Sequence, residues 1–257
     1  MKYGICTSAE VAARAKKCGY DYIEPALQVI ANMSEEDFNV FIETMQKADM
    51  KCTAMCGFFP GTIKLVGDEA DFEKIKAYID FSLDRAAKLG AETVVFGSGA
   101  ARTIPEGADA DKCTAQLVSA IKYAGEVAAK YGITIVIEPL NANETNMATT
   151  VPDAVRFVKM VNLPNVKTMV DFHHFHMMGE DYSELFEAKE YLAHMHIARG
   201  TADRGVPCLK GDREYLQEVF GIINKLGYNG TLTIEAIYKD FPTEMENAIK
   251  MFKEVNA

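Results

Sequence analysis

The chain has 257 residues, 49% hydrophobic and 25% charged, which excludes disordered, collagenous and membrane-spanning classes and allows one large core. Lys plus Arg number 27 against 37 Asp plus Glu, a formal charge of -10, and that sign disfavours nucleic acid and anionic membrane surfaces as partners. No run approaches about 18 apolar residues, and the N-terminal MKYGICTSAEVAARAKKCGY carries neither an apolar core nor a small-residue cleavage site, so a cytoplasmic protein is the expectation. The six cysteines lack a framework spacing and read as free thiols.

In chain order, short β-rich runs predict strands over 2–7, 20–26, 51–57, 93–99, 134–140, 166–173, 192–198 and 231–237, each followed by a segment of helical period. Thr7-x-x-Glu10 has the form of a capping box, and its helix is expected to end at Gly19. Ser34 precedes a face of Phe38, Phe41, Ile42 and Met45. Gly90, Gly132 and Gly227 follow amphipathic runs, and Pro152 and Pro242 stand where first-turn prolines belong. Eight βα units without a linker favour one (β/α)8 TIM barrel domain over 1–257, with a doubly wound sheet as the alternative.

A barrel demands alternation along each strand. Ile133, Ile135 and Ile137 oppose Thr134, Val136 and Glu138. Ala193, Met195 and Ile197 oppose His194 and His196, and Leu232 and Ile234 oppose Thr231, Thr233 and Glu235. The polar face of each strand points inward on this reading. Active sites of such barrels lie at the C-terminal strand ends, and there the fifth to eighth strands carry Glu138, Asp171, His196 and Glu235. Any one of these could be an isolated polar residue satisfied by a helix N-terminus or an arginine. Four on consecutive strands would repel one another unless a cation binds among them. Three carboxylates and one imidazole suit Mn²⁺ best, with Mg²⁺ or Co²⁺ as alternatives, over Zn²⁺.

The stretches IEPLNANE (137–144), VDFHH (170–174), HMHIA (194–198), DRGVP (203–207) and GYNGTLTIEA (227–236) together resemble the xylose isomerase-like barrels. Within these the chain resembles ketose 3-epimerases of the D-tagatose/D-allulose type and hydroxypyruvate isomerase. The resemblance implies Glu138, Asp171, His196 and Glu235 as metal ligands, with Glu138 and Glu235 doubling as the catalytic pair. It also implies Glu144, His174 and Arg204 as substrate-binding residues. The implied reaction is sugar epimerisation or isomerisation by proton transfer through a metal-held cis-enediolate. Two bases on opposite faces of the sugar would invert a carbon, whereas one base would shift a carbonyl. A keto-inositol or keto-sugar dehydratase of the same barrel type and a non-catalytic sugar-binding barrel are the alternatives. Ala142 stands where many members carry Arg, and the chain has no Trp, which leaves the sugar open, as it leaves open a dimer or tetramer.

Other signals are weaker. Gly97-Ser98-Gly99 reads as a tight turn rather than a phosphate loop, with Arg102 beyond it a minor candidate for substrate contact. His173 and His176 read as packed or solvated imidazoles on the same strand as His174, and His194 as support behind His196. Arg199, Arg204, Lys210 and Arg213 form a basic cluster that a phosphate or only solvent would meet.

Overall fold

The computed structural model describes residues 1–256 and places eight parallel strands, β1 Lys2–Cys6, β2 Tyr22–Glu24, β3 Ala54–Met55, β4 Thr93–Phe96, β5 Thr134–Ile137, β6 Val166–Asp171, β7 Leu192–Ile197 and β8 Thr231–Ile234. Their order around the sheet is β2-β1-β8-β7-β6-β5-β4-β3. The remaining seam between β2 and β3 is spanned by the bridges Tyr22↔Lys51 and Ala26↔Cys56. This is the (β/α)8 barrel that the alternation of strands and helices predicts. Every observed strand ends one to three residues before its expected end, because pairing stops where the chain turns outward to form the rim.

The principal helices are α1 Ala12–Cys18, α2 Leu27–Asn32, α3 Glu35–Ala48, α4 Phe72–Lys88, α5 Gly99–Arg102, α6 Ala110–Ala129, α7 Val151–Val161, α8 Phe172–Met178, α9 Tyr182–Glu187, α10 Leu209–Leu226 and α11 Phe241–Val255. No described helix is long and apolar enough to cross a membrane. The punctuation acts as read at most ends. Ser34 accepts the Asp37 N–H, and α1 closes on Gly19 at φ 96°. The capping box at Thr7 is absent: Ser8 precedes a 3-10 turn without a side-chain bond, and the Thr7 N–H instead joins the Glu24 carbonyl. Two cores result from the strand alternation. Ile135, Ile137, Met195, Ile197, Leu232 and Ile234 pack outward beneath the helices, while Val95, Val136, Met169 and Cys56 fill the barrel interior.

The sharpest departure from expectation is α8. Pairing of β6 ends at Asp171, whose Oδ1 accepts the His173 N–H at 2.7 Å and starts a helix. His173, His174 and His176 therefore spread by the turn of a helix rather than by the alternation of a strand.

Beyond α8, Glu180 Oε2 accepts the Val151 N–H at 2.7 Å, anchoring the start of α7. Burial, with Glu184 beside it, pushes the Glu180 carboxyl up to about 8. The unfolded carboxyl gives up its proton near 4.5, so between that pH and about 8 the native state holds the extra proton and stability falls as pH rises. Glu180→Gln keeps the acceptor without the charge. It should raise stability by about 1–2 kcal/mol near pH 8, allowing for solvent screening, and by nothing near pH 4. Thermal melts at the two pH values check this; an equal or negative change at both would contradict it.

Candidate active site

The barrel places Glu138, Asp171, His196 and Glu235 at one rim, each offering a ligand atom within 4.8 Å of the others. Glu138 and Glu235 stand one residue past their strands, tied to the neighbouring strands by Glu138 N–H to Phe96 O and Glu235 N–H to Ile197 O. Asp171 and His196 are register partners on β6 and β7. The imidazole turns Nδ1 toward the carboxylates, 2.8 Å from Glu235 Oε2 and 3.5 Å from Glu138 Oε1.

Two buried atoms in this cluster, Glu138 Oε1 and His196 Nδ1, make no hydrogen bond of good geometry among the described residues, close as the neighbouring carboxylates come. Such groups are costly unless something satisfies them. A cation between them does so, and the donor set of three carboxylates and one nitrogen fits a hard divalent ion. Without one, Arg204 supplies the positive charge: its Nη2 donates to Asp171 Oδ2 at 2.6 Å and to Glu235 Oε2. Burial alone would push both carboxyls up, yet Arg204 and the neighbouring imidazoles hold Asp171 and Glu235 below their ordinary values. Burial likewise disfavours a charged His196, but Glu24, Glu235 and Glu138 outweigh it and hold the imidazole well above its ordinary value.

Arg204 reaches this position from a left-handed backbone, φ 47°, which a non-glycine residue rarely adopts and which clusters at functional sites. Its loop is pinned to the end of β8 by the Gly205↔Ile237 bridge. Nη1 stands 3.0 Å from His174 Nε2, while His174 Nδ1 accepts the Asn141 backbone N–H at 3.4 Å. The Nδ1 side also faces the Asn141 side-chain amide, 2.8 Å away, and Glu144 Oε1, 3.8 Å away. Thus His174 and Arg204 border the carboxylate cluster, while Glu144 stands behind His174, to which Asn141, not singled out in the sequence, joins it.

Glu24 is the larger omission. It is fully buried at the end of β2 and accepts from His196 Nε2 at 2.9 Å, from His194 Nε2 at 3.0 Å and from Thr233. His194 and His196 together hold it well below its ordinary value against the effect of burial. The signal was present: Ile23-Glu24-Pro25 repeats Ile137-Glu138-Pro139, a strand ending in a carboxylate before proline.

The glycines at 97 and 99 do more than turn the chain. A Cβ on Gly97 would overlap the Glu138 carboxylate, and one on Gly99 would stand 2.6 Å from the Glu144 carbonyl oxygen. Arg102 is corrected too. Fully buried, it donates to the Phe96 and Glu138 carbonyls at 3.1 and 2.6 Å and clamps the ends of β4 and β5 rather than facing the mouth. His176 bonds Tyr182 at 3.0 Å, away from the cluster. Arg199 is engaged by Asp212 at 3.1 Å, and Arg213 by Glu254 at 2.8 Å. The Lys210 side chain lies outside the described residues. A surface cavity of about 590 Å³ lies between α7 and α9 and includes none of the cluster.

A model of the xylose isomerase-like TIM barrel family matches residues 12–255. The chain belongs to that family. It is 26% identical over 248 residues to D-psicose 3-epimerase of Agrobacterium fabrum, spanning 95% of this chain and 83% of that one. Over 193 residues it is 28% identical to 3-dehydro-D-guloside 4-epimerase of Escherichia coli, 71% of each chain. Among solved structures, 3-keto-D-glucoside 4-epimerase from E. coli superposes with a TM-score of 0.82 at 19% identity, covering 99% of both chains. The relatives support a carbohydrate isomerase or epimerase.

Proposed function

We propose that this chain is a divalent-metal-dependent ketose 3-epimerase acting on a small sugar that lacks a phosphate. The observation that carries the reading is the four-residue cluster with its two unsatisfied buried atoms, Glu138 Oε1 and His196 Nδ1. Glu138, Asp171, His196 and Glu235 would hold the ion, Mn²⁺ by preference of the donor set. Bound there, the ion supplies Lewis-acid polarisation of the sugar's oxygens.

The protein's own groups do the rest. Glu138, just past β5, and Glu235, just past β8, come from different sides of the mouth. One takes the proton from the carbon beside the carbonyl, the other returns one to the opposite face, and the centre inverts. Arg204 and the imidazole of His174 donate to the oxygen on which charge develops, while Glu144 and Asn141 bind hydroxyls toward the sugar's end. Arg199 and Arg213 support a substrate without phosphate, because both guanidiniums already hold carboxylates.

Arg204 holds carboxylates, Asp171 and Glu235, that would also hold the ion, so loading would free the guanidinium to meet the substrate. His196 must also shed its Nδ1 proton to bind. Ion affinity should therefore rise with pH, with proton release on binding. Calorimetry in buffers of different ionisation enthalpy, together with crystals grown in Mn²⁺, tests this. No density at the four residues, or affinity flat from about pH 8 to pH 4, would defeat the ligand set. Conversion of a panel of ketoses and keto-sugars, followed in D₂O, tests the reaction.

A further inference from the structure

Two thiols share the mouth without belonging to the cluster described above. Cys6 ends β1 and Cys56 follows β3, so β2 lies between them in the sheet, yet both turn inward and pack with Val136 and Met169. Both are free thiols. Cys6 Sγ, Cys56 Sγ and a carboxylate oxygen of Glu235 lie within 4.8 Å of one another. They adjoin a cavity of about 240 Å³ lined by Cys6, Glu24, Ala26, Met33, Phe41 and Cys56. Glu24 is also close to Cys6, but its oxygens are committed to His194, His196 and Thr233. Glu235, its side chain 29% exposed, holds Arg204 through Oε2 and would turn toward the thiols by giving up that contact.

We propose that Cys6, Cys56 and Glu235 form a second cation site, for a thiophilic divalent ion such as Zn²⁺ or Cd²⁺. Ligand atoms of a tetrahedral zinc site stand roughly 3.5 Å apart at bonds of about 2.0–2.3 Å, which small side-chain rotations reach from the observed separations. Two sulfurs select a soft ion where the neighbouring oxygen-rich set selects a hard one. The thiol protons leave to solvent as the ion binds, and the fourth position stays open to water. Sharing Glu235 makes the two uses exclusive: a soft ion here removes that glutamate from proton transfer and from the hard ion. The site itself stands whether or not the chain turns over a sugar.

Cadmium reports the site directly, because the ultraviolet thiolate-to-cadmium charge-transfer band cannot arise from the oxygen-rich set. Titrating the full chain with Cd²⁺ in the presence of Mn²⁺ should produce the band, saturating at one ion per chain. Cys6→Ser and Cys56→Ser should each weaken it at least as much as loss of an outer-shell partner does, about 10–100-fold in affinity. Cys208→Ser, at an exposed position, should leave it intact. Unmutated protein supplies the control for variants that fail to fold: Zn²⁺ should protect Cys6 and Cys56, but not Cys208, from alkylation mapped by mass spectrometry. No band, a band that follows Cys208, or alkylation of Cys6 and Cys56 at the same rate with and without Zn²⁺ would overturn the proposal.

Discussion

Replacing Glu138 or Glu235 by Gln should lower turnover by about 10²–10⁴-fold while leaving the fold intact. Gln preserves the volume and one oxygen donor but cannot accept the substrate's proton. Neither carboxylate bonds to a strand: Glu138 Oε1 has no hydrogen-bond partner among the described residues, and Glu235 Oε2 accepts from Arg204 of the rim loop. Each loss should appear in kcat more than in KM, as expected of an interaction made in the transition state. Steady-state kinetics with Mn²⁺ held saturating separates loss of the base from loss of the ion. Mass spectrometry of early product in D₂O separates the schemes. Two glutamates on opposite faces put solvent deuterium on the inverted carbon from the first turnover, whereas one base recycles the substrate's own proton. Persistent internal transfer would refute the two-base scheme and favour isomerisation; unchanged turnover in both variants would remove the pair from the mechanism.

The four strand-end residues were legible because a barrel converts a linear rule into proximity. A polar residue on the inward face at the last position of a strand must meet its counterparts on neighbouring strands, whatever the loops do. His174 was legible only through resemblance, since Val166–His173 reads as one β run and the Asp171 cap that breaks it is a tertiary choice, made where the carboxylate can serve both the His173 N–H and Arg204. Gly97 carries no local signal beyond a turn, because the side chain whose space it leaves open, Glu138, lies on the next strand. Arg102 misled for the opposite reason. An arginine in a rim loop reads as solvated or substrate-facing, and only the fold shows two strand-end carbonyls waiting for its fork. Glu24 sits in a three-residue strand otherwise made of Tyr22 and Ile23, too short to show the alternation by which Glu138 and Glu235 are read.

Glu24 should therefore prove as consequential as any ligand. Its carboxylate accepts from both His194 Nε2 and His196 Nε2, so it fixes the proton of a neutral His196 on Nε2 and leaves the Nδ1 lone pair aimed at Glu138, Asp171 and Glu235. Glu24→Ala leaves two buried imidazole N–H groups without their acceptor, and breaking a buried charged network of this kind costs about 3–5 kcal/mol. Denaturant unfolding measures that loss. Glu24→Gln is the sharper variant, because it keeps the shape while its amide can accept from only one of the two imidazoles. The NH₂ then faces a second N–H, and one histidine must change tautomer or turn. If His196 yields, its Nδ1 carries the proton and no longer binds an ion, so Mn²⁺ affinity should fall by about 10–100-fold. An apolar filler in the barrel would lower stability alone, whereas a positioning role predicts weaker ion binding in a variant that still folds. Calorimetric titration of folded Glu24→Gln with Mn²⁺ decides between them, and an affinity equal to that of the unmodified chain would leave Glu24 a purely structural residue.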